Sequence, residues 1–176
     1  DIHKEYDDDF IEKMLSPIVE TIDKTFIRNS IGSQKDVIIK TQIDDYRENV
    51  KRLAKFLKLF KPDLKDIRLD ISEDERYYYC CKKMVYDDFE LDSDYESTGI
   101  QKLMSIYNSL EDVTKGKIVF IDELDANING VYLKFLIEYL NNLKKGQLCF
   151  TSHNYYPMEY LYKYTNSIDF MGETGK

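Results

Sequence analysis

The sequence predicts an α/β fold, a mainly parallel sheet with flanking helices, entered through an N-terminal helical lobe that carries a β-hairpin. Three observations lead there. Ile118–Ile121 is apolar at every position and runs directly into Asp122 and Glu123; a short run without polar alternation reads as a strand covered on both faces, as parallel strands are. From Ser97 onward helices and strands take turns, which asks for crossovers between parallel strands. Before Pro62 the apolar residues keep helical spacing, and after it they alternate.

The elements follow in order. Phe10, Met14, Leu15, Ile18, Val19, Ile22 and Phe26 recur at helical intervals, with Pro17 either kinking that helix or standing in the first turn of one that opens at Ser16. Residues 29–36, with Asn29, Gly32 and Ser33, read as a loop. Ile43, Tyr46, Val50, Leu53, Leu57 and Phe60 step by three or four and lay one apolar stripe on a helix that stops before Lys61 and Pro62. Ile67, Leu69 and Ile71 alternate with charges, residues 72–75 turn, and the tyrosine-rich stretch 76–85 returns, an antiparallel hairpin. The acidic stretch 87–94 is expected to be part extended and part loop. Ile100, Leu103, Met104, Tyr107 and Leu110 make a helix, and Gly116 precedes the apolar strand 117–121. Leu133, Leu136, Ile137, Leu140 and Leu143 make the helix 131–143, and 148–151 is a short strand. Residues 155–164 are helical beyond Pro157, and 167–170 form a last strand before a turn with Gly172 and Gly175. The expected division is a lobe over residues 1–93 and an α/β half-core over 94–176.

Bulk properties narrow the function. The 176 residues, 43% hydrophobic and 33% charged, suit one globular core with an appended lobe. A net charge of −8 argues against broad nucleic-acid binding through this acidic stretch. No apolar run approaches the ~18 residues of a membrane span, and no secretory signal is visible. Cys80, Cys81 and Cys149 lack metal-ligand spacing and read as reduced thiols of a cytoplasmic protein.

Three places have residue types suited to chemistry. Asp122 and Glu123 stand at the carboxyl end of a strand, where open α/β sheets bind ligands. One carboxylate there can hold Mg²⁺ and the next can orient a water, although acids after a strand also favour the start of a following helix. His153 follows the next apolar strand, so parallel pairing brings it to the same edge as Glu123. A neutral imidazole can hydrogen-bond a phosphate oxygen or an attacking water, or simply satisfy a strand end. Ser97 and Gly99 open an amphipathic helix whose free N–H groups suit an anion, or whose serine is an ordinary N-cap.

Taken in order, these motifs resemble the C-terminal half of an ABC-type ATPase of the SMC, RecF and OLD branch, in particular the AAA-labelled ATP-binding proteins of bacterial defence and abortive infection. The residues that carry the resemblance are Glu96-Ser97-Thr98-Gly99-Ile100-Gln101-Lys102-Leu103, then Asp122 to Asn129, then Thr151-Ser152-His153, over about half of the chain. The resemblance implies a P-loop-NTPase-like fold. Asp122 is then the Walker B aspartate that holds Mg²⁺, Glu123 the catalytic base and His153 the switch histidine. Residues 126–129, with Asn127 and Asn129, form the D-loop. Ser97 and Gly99 belong to the signature that meets the γ-phosphate bound by a second copy of the head. ATP joins the two heads and hydrolysis releases them. A fused or cognate nuclease or effector is a further partner of such proteins, which bind nucleic acid elsewhere than on an acidic stretch like this one.

Ile100 stands where the family has threonine, Asn129 where it has histidine and Gly130 where it has proline. No G-x-x-x-x-G-K-[ST] occurs, and the Gly172 to Lys176 stretch lacks its first glycine and its final hydroxyl residue. The P-loop is therefore expected N-terminal to residue 1, and these residues alone are expected to bind ATP weakly or not at all and to hydrolyse none. Two other readings fit parts of the chain. One is an interaction module that docks a partner on the stripe from Ile43 to Phe60. The other is a Mg²⁺ nuclease built from Asp122, Glu123 and acids of 87–94.

Overall fold

The computed structural model describes residues 35–142 and 145–161. The helical stripe between Phe10 and Phe26, His3, Leu143, the end of the helix expected over 155–164, the strand expected at 167–170 and the glycines after it lie outside the described residues. The chain enters through strand β1 (Asp36–Ile39), a single tight turn and helix α1 (Ile43–Leu57). Strands β2 (Asp66–Glu73), β3 (Tyr77–Val85) and β4 (Glu90–Asp92) follow, then helix α2 (Thr98–Thr114). A strand–helix–strand unit comes next, β5 (Ile118–Ile121), α3 (Gly130–Asn141) and β6 (Gln147–Phe150), and α4 (Tyr156–Leu161) ends the described chain.

The sheet differs from the expected mainly parallel one. The described strands form two sheets instead: a four-stranded antiparallel one in the order β1-β3-β2, with β4 also beside β3, and a separate parallel pair, β5-β6. Connections explain the difference. Asp74 accepts hydrogen bonds from the backbone N–H groups of Arg76 and Tyr77, both at 2.8 Å, and so closes a hairpin too short for anything but antiparallel pairing. A parallel pair needs a crossover, and among the described residues only α3 provides one between paired strands. Of the loop read over 29–36, residues 29–34 lie outside the described residues, and its last residue, Asp36, pairs with Cys80 and opens β1.

One core cluster runs through the described chain. Val50, Leu53, Leu57 and Phe60 of the predicted stripe are buried in it with Met84 of β3, Leu103 and Leu110 of α2 and Leu133 and Leu136 of α3. Phe56 at the end of α1 meets Tyr107 and Tyr139, each with ring centroids 5.2 Å apart. The stripe is therefore spent on internal packing, which removes it as a docking face. A charged clasp reinforces this contact. Arg52 Nε donates to Glu111 Oε1 at 2.5 Å, and Tyr107 donates to the same oxygen at 2.6 Å.

Strand β5 also departs from expectation. Val119 and Ile121 are 1% and 2% exposed, but Ile118 and Phe120 are 43% and 46% exposed. The unbroken apolar run does not mean cover on both faces here. Alternate side chains point to opposite faces, and α2 packs against one of them. Strand β6 reaches its place beside β5 through Gly146, whose φ of +72° and whose neighbours leave no room for a side chain: a Cβ there would fall 2.3 Å from the carbonyl oxygen of Val113.

Candidate functional site

Strands β5 and β6 pair in parallel from Ile118 with Gln147 to Ile121 with Phe150, so both end at one edge. The residues just past those ends are Asp122, Glu123 and Thr151 to His153, and they are interlaced. Thr151 N donates to the Ile121 carbonyl at 3.1 Å, and Leu124 N donates to the Thr151 carbonyl at 3.0 Å. The Thr151 hydroxyl donates to Asp122 Oδ1 at 2.5 Å and accepts from Glu123 N at 2.8 Å. His153 Nε2 lies 3.4 Å from Glu123 Oε1, with the imidazole and the carboxylate both largely exposed. Glu123 itself holds φ of +47°, in the left-handed region that a non-glycine residue adopts at a cost of ~1 kcal/mol or more.

The segment after Glu123 is a loop stitched by successive turns, with Ala126 N donating to the Glu123 carbonyl and Ile128 N to the Asp125 carbonyl. Asn127 takes φ of +63°, which asparagine tolerates. Leu124 and Ile128 anchor the loop in the core. Asn129 is the N-cap of α3, its Oδ1 accepting from Tyr132 N at 2.9 Å. The helix begins at Gly130, one residue sooner than expected. Asp125 has one buried oxygen, Oδ1, with no hydrogen-bond partner.

The start of α2 closes against this loop. Ser97 caps the helix, its Oγ accepting from Ile100 N at 3.4 Å. Gly99 is buried, and a Cβ on it would come within 3.2 Å of the Asn127 carbonyl oxygen. The residue before the cap, Glu96, is buried. Lys61 Nζ donates to both of its oxygens, at 3.1 and 2.9 Å, Tyr86 donates through its hydroxyl, and Ser97 N donates at 3.3 Å. Burial pulls the Lys61 ammonium down, but hydrogen bonding with Tyr86 and Glu96 and the charge of Glu96 outweigh it and leave its pKa raised. Burial and then Glu96 push the Tyr86 phenol up to about 12.

The chain thus brings Glu123 to His153, Asp122 to Thr151, and Gly99 with Ser97 to the Asn127–Asn129 loop. Glu96 lay inside the quoted motif without a partner to explain it. Its partners Lys61 and Tyr86 come from remote elements and carry no local signal. The acids of 87–94 go elsewhere: Asp87 pairs with Lys65, Glu90 with Arg68 and Asp92 with Lys83. No three His, Cys, Asp or Glu side chains among the described residues converge to hold a metal ion, so the nuclease reading gains no support.

No family model and no curated protein matches the sequence. Solved structures do match. An SMC head bound to the C-terminal winged-helix domain of ScpA superposes with a TM-score of 0.52 at 16% identity, over 68% of this chain and 39% of that one. An SMC head from Pyrococcus furiosus with an extended coiled coil, bound to the C-terminal domain of ScpA, gives a TM-score of 0.50 at 13% identity, over 68% of this chain and 32% of that one. The likeness is one of fold. This chain has the fold of part of an SMC head and spans less than two-fifths of the heads it matches. Among the described residues no helix is long and apolar enough to cross a membrane.

Proposed function

We propose that this chain is the signature, Walker B, D-loop and switch portion of an ABC-like ATPase that binds and hydrolyses ATP between two copies of its head. The observation that carries the reading is the meeting of His153 with Glu123, 3.4 Å apart at the ends of adjacent parallel strands. Glu123 is the general base that holds the attacking water, and His153 orients that water or a γ-phosphate oxygen. Both are exposed, as groups must be that meet a substrate held partly by another surface.

Asp122 fits a Mg²⁺ site of the family kind. Thr151 occupies one carboxylate oxygen, and among the described residues no group of three His, Cys, Asp or Glu forms around it. Mg²⁺ keeps several waters and takes one or two carboxylates plus substrate phosphates, so a single protein carboxylate is enough. The ion, when bound, neutralises charge that develops on the phosphates. Ser97, Gly99 and the N-terminus of α2 receive the γ-phosphate of the opposite head, with the Asn127–Asn129 loop between the two sites. The exposed Ile118 and Phe120 support a reading in which a P-loop-bearing layer and a second head complete the surface. In that reading residues 1–93 are the lobe and 94–176 the half-core.

The test uses the polypeptide that carries this chain together with its P-loop. Glu123→Gln is expected to abolish ATP turnover while an ATP-held dimer persists in light scattering. Turnover equal to wild type would remove Glu123 from its role. Residues 1–176 alone are expected to show none.

A further inference from the structure

We infer that Thr151 is a positioning residue, whose hydroxyl sets the Asp122 carboxylate and the Glu123 backbone in the geometry that hydrolysis requires. The inference rests on the ATPase reading above and adds to it a residue that touches no substrate itself.

The geometry is specific. One oxygen, Thr151 Oγ1, gives its only proton to Asp122 Oδ1 and takes the N–H of Glu123 on a lone pair. The main chain of the same residue grips the residues on either side, accepting from Leu124 N and donating to the Ile121 carbonyl. Thr151 therefore holds the whole turn from Ile121 to Leu124 by four hydrogen bonds from a neighbouring strand. Two consequences follow for the carboxylates. Asp122 cannot rotate freely about its side chain while Oδ1 is held, so its second oxygen is aimed. Glu123 keeps φ of +47°, a conformation the chain would leave if nothing tied its N–H. A base displaced by about 1 Å from its water loses about 100-fold in rate, so the hydroxyl matters although it does no chemistry.

Threonine suits this work better than its neighbours in size. A β-branched side chain is stiff at χ1, which keeps the hydroxyl in one place. Serine keeps both hydrogen bonds with a looser rotor, and valine keeps the shape and loses both bonds. A purely structural role predicts something different: T151V would then lower the unfolding midpoint. Asp122 and Glu123 are exposed, so water can take up the lost hydrogen bonds without cost to the fold, and what is lost is the fixed placement of the two carboxylates.

The experiment compares T151V and T151S with wild type in the P-loop-bearing polypeptide. T151V is expected to lower kcat by about 10- to 100-fold, with KM for ATP changed by less than about twofold, and T151S to recover most of the loss. In the same polypeptide, hydrogen exchange of the Glu123 amide, followed by NMR, is expected to be faster in T151V and close to wild type in T151S. The urea unfolding midpoint should not move. Wild-type turnover in T151V, or a loss of turnover that T151S does not recover, would overturn the inference. Silence of the wild-type polypeptide, with E123Q equally silent, would remove the ATPase reading and the inference with it. That outcome is distinct from wild-type activity that survives T151V.

Discussion

Glu96, just before α2, and Glu123, just past β5, are treated in opposite ways. Glu96 is buried beneath the start of α2, with Lys61, Tyr86 and a main-chain N–H on its oxygens. Glu123 stands half exposed past the end of β5, on a left-handed backbone, with an imidazole 3.4 Å away as its side-chain partner. Burial with full pairing makes a carboxylate a joint between elements. Exposure, sparse pairing and a costly backbone are what the role proposed for Glu123 asks of a carboxylate.

Removing each glutamate tests the contrast most sharply. Glu96→Ala strips the partner from a partly buried lysine and is expected to cost about 3 kcal/mol of stability, read as a lower midpoint in urea denaturation. A loss under about 1 kcal/mol would mean that Lys61 finds water easily and that the joint is ornamental. An intermediate case is Glu111. Burial would raise its carboxyl, but hydrogen bonds from Arg52 and Tyr107 outweigh this and hold its pKa below the usual glutamate value. A depressed folded pKa contributes stability that is present above the unfolded value and is lost as pH falls through the folded one. Stability of the wild-type chain should therefore drop on acidification below about pH 4.5, and Glu111→Gln should flatten that slope; equal slopes would show that the clasp is not what titrates. The smallest effect belongs to Glu123→Gly. Glycine relieves the left-handed conformation, so stability is expected to change by less than about 1 kcal/mol and to rise rather than fall. A substantial loss in thermal melting would make Glu123 a second joint and erase the contrast.

Much of this was legible in the sequence, and the limits have physical causes. The α1 stripe and the β2–β3 hairpin show their periods directly, because each buries one face and leaves the other wet. The order of Ser97, Asp122–Glu123 and His153 was legible as a motif, and the parallel pairing of β5 with β6 is what gives that order its geometry. The burial of β5 was misread because an unbroken apolar run reports the cover a strand is suited to, and α2 packs against only one of its faces. The extent of antiparallel sheet was missed because β1 and β4 are strands of four and three residues, too short to establish a period. Lys61 and Tyr86 were invisible as partners of Glu96, since nothing local marks a pairing across 35 or 10 positions. Thr151 was in plain view within its motif, but a hydroxyl shared by two neighbours leaves no trace in spacing.

Gly99 has a mechanical consequence. A Cβ on Gly99 would stand 3.2 Å from the Asn127 carbonyl oxygen, tighter than an ordinary contact, so the first turn of α2 and the loop that opens α3 have little slack between them. A push on either would be felt by the other, and by the Tyr132 ring that lies against the same spot. A larger residue at that point would act as a wedge, and the tilt of one helix would then be readable as a shift in the other.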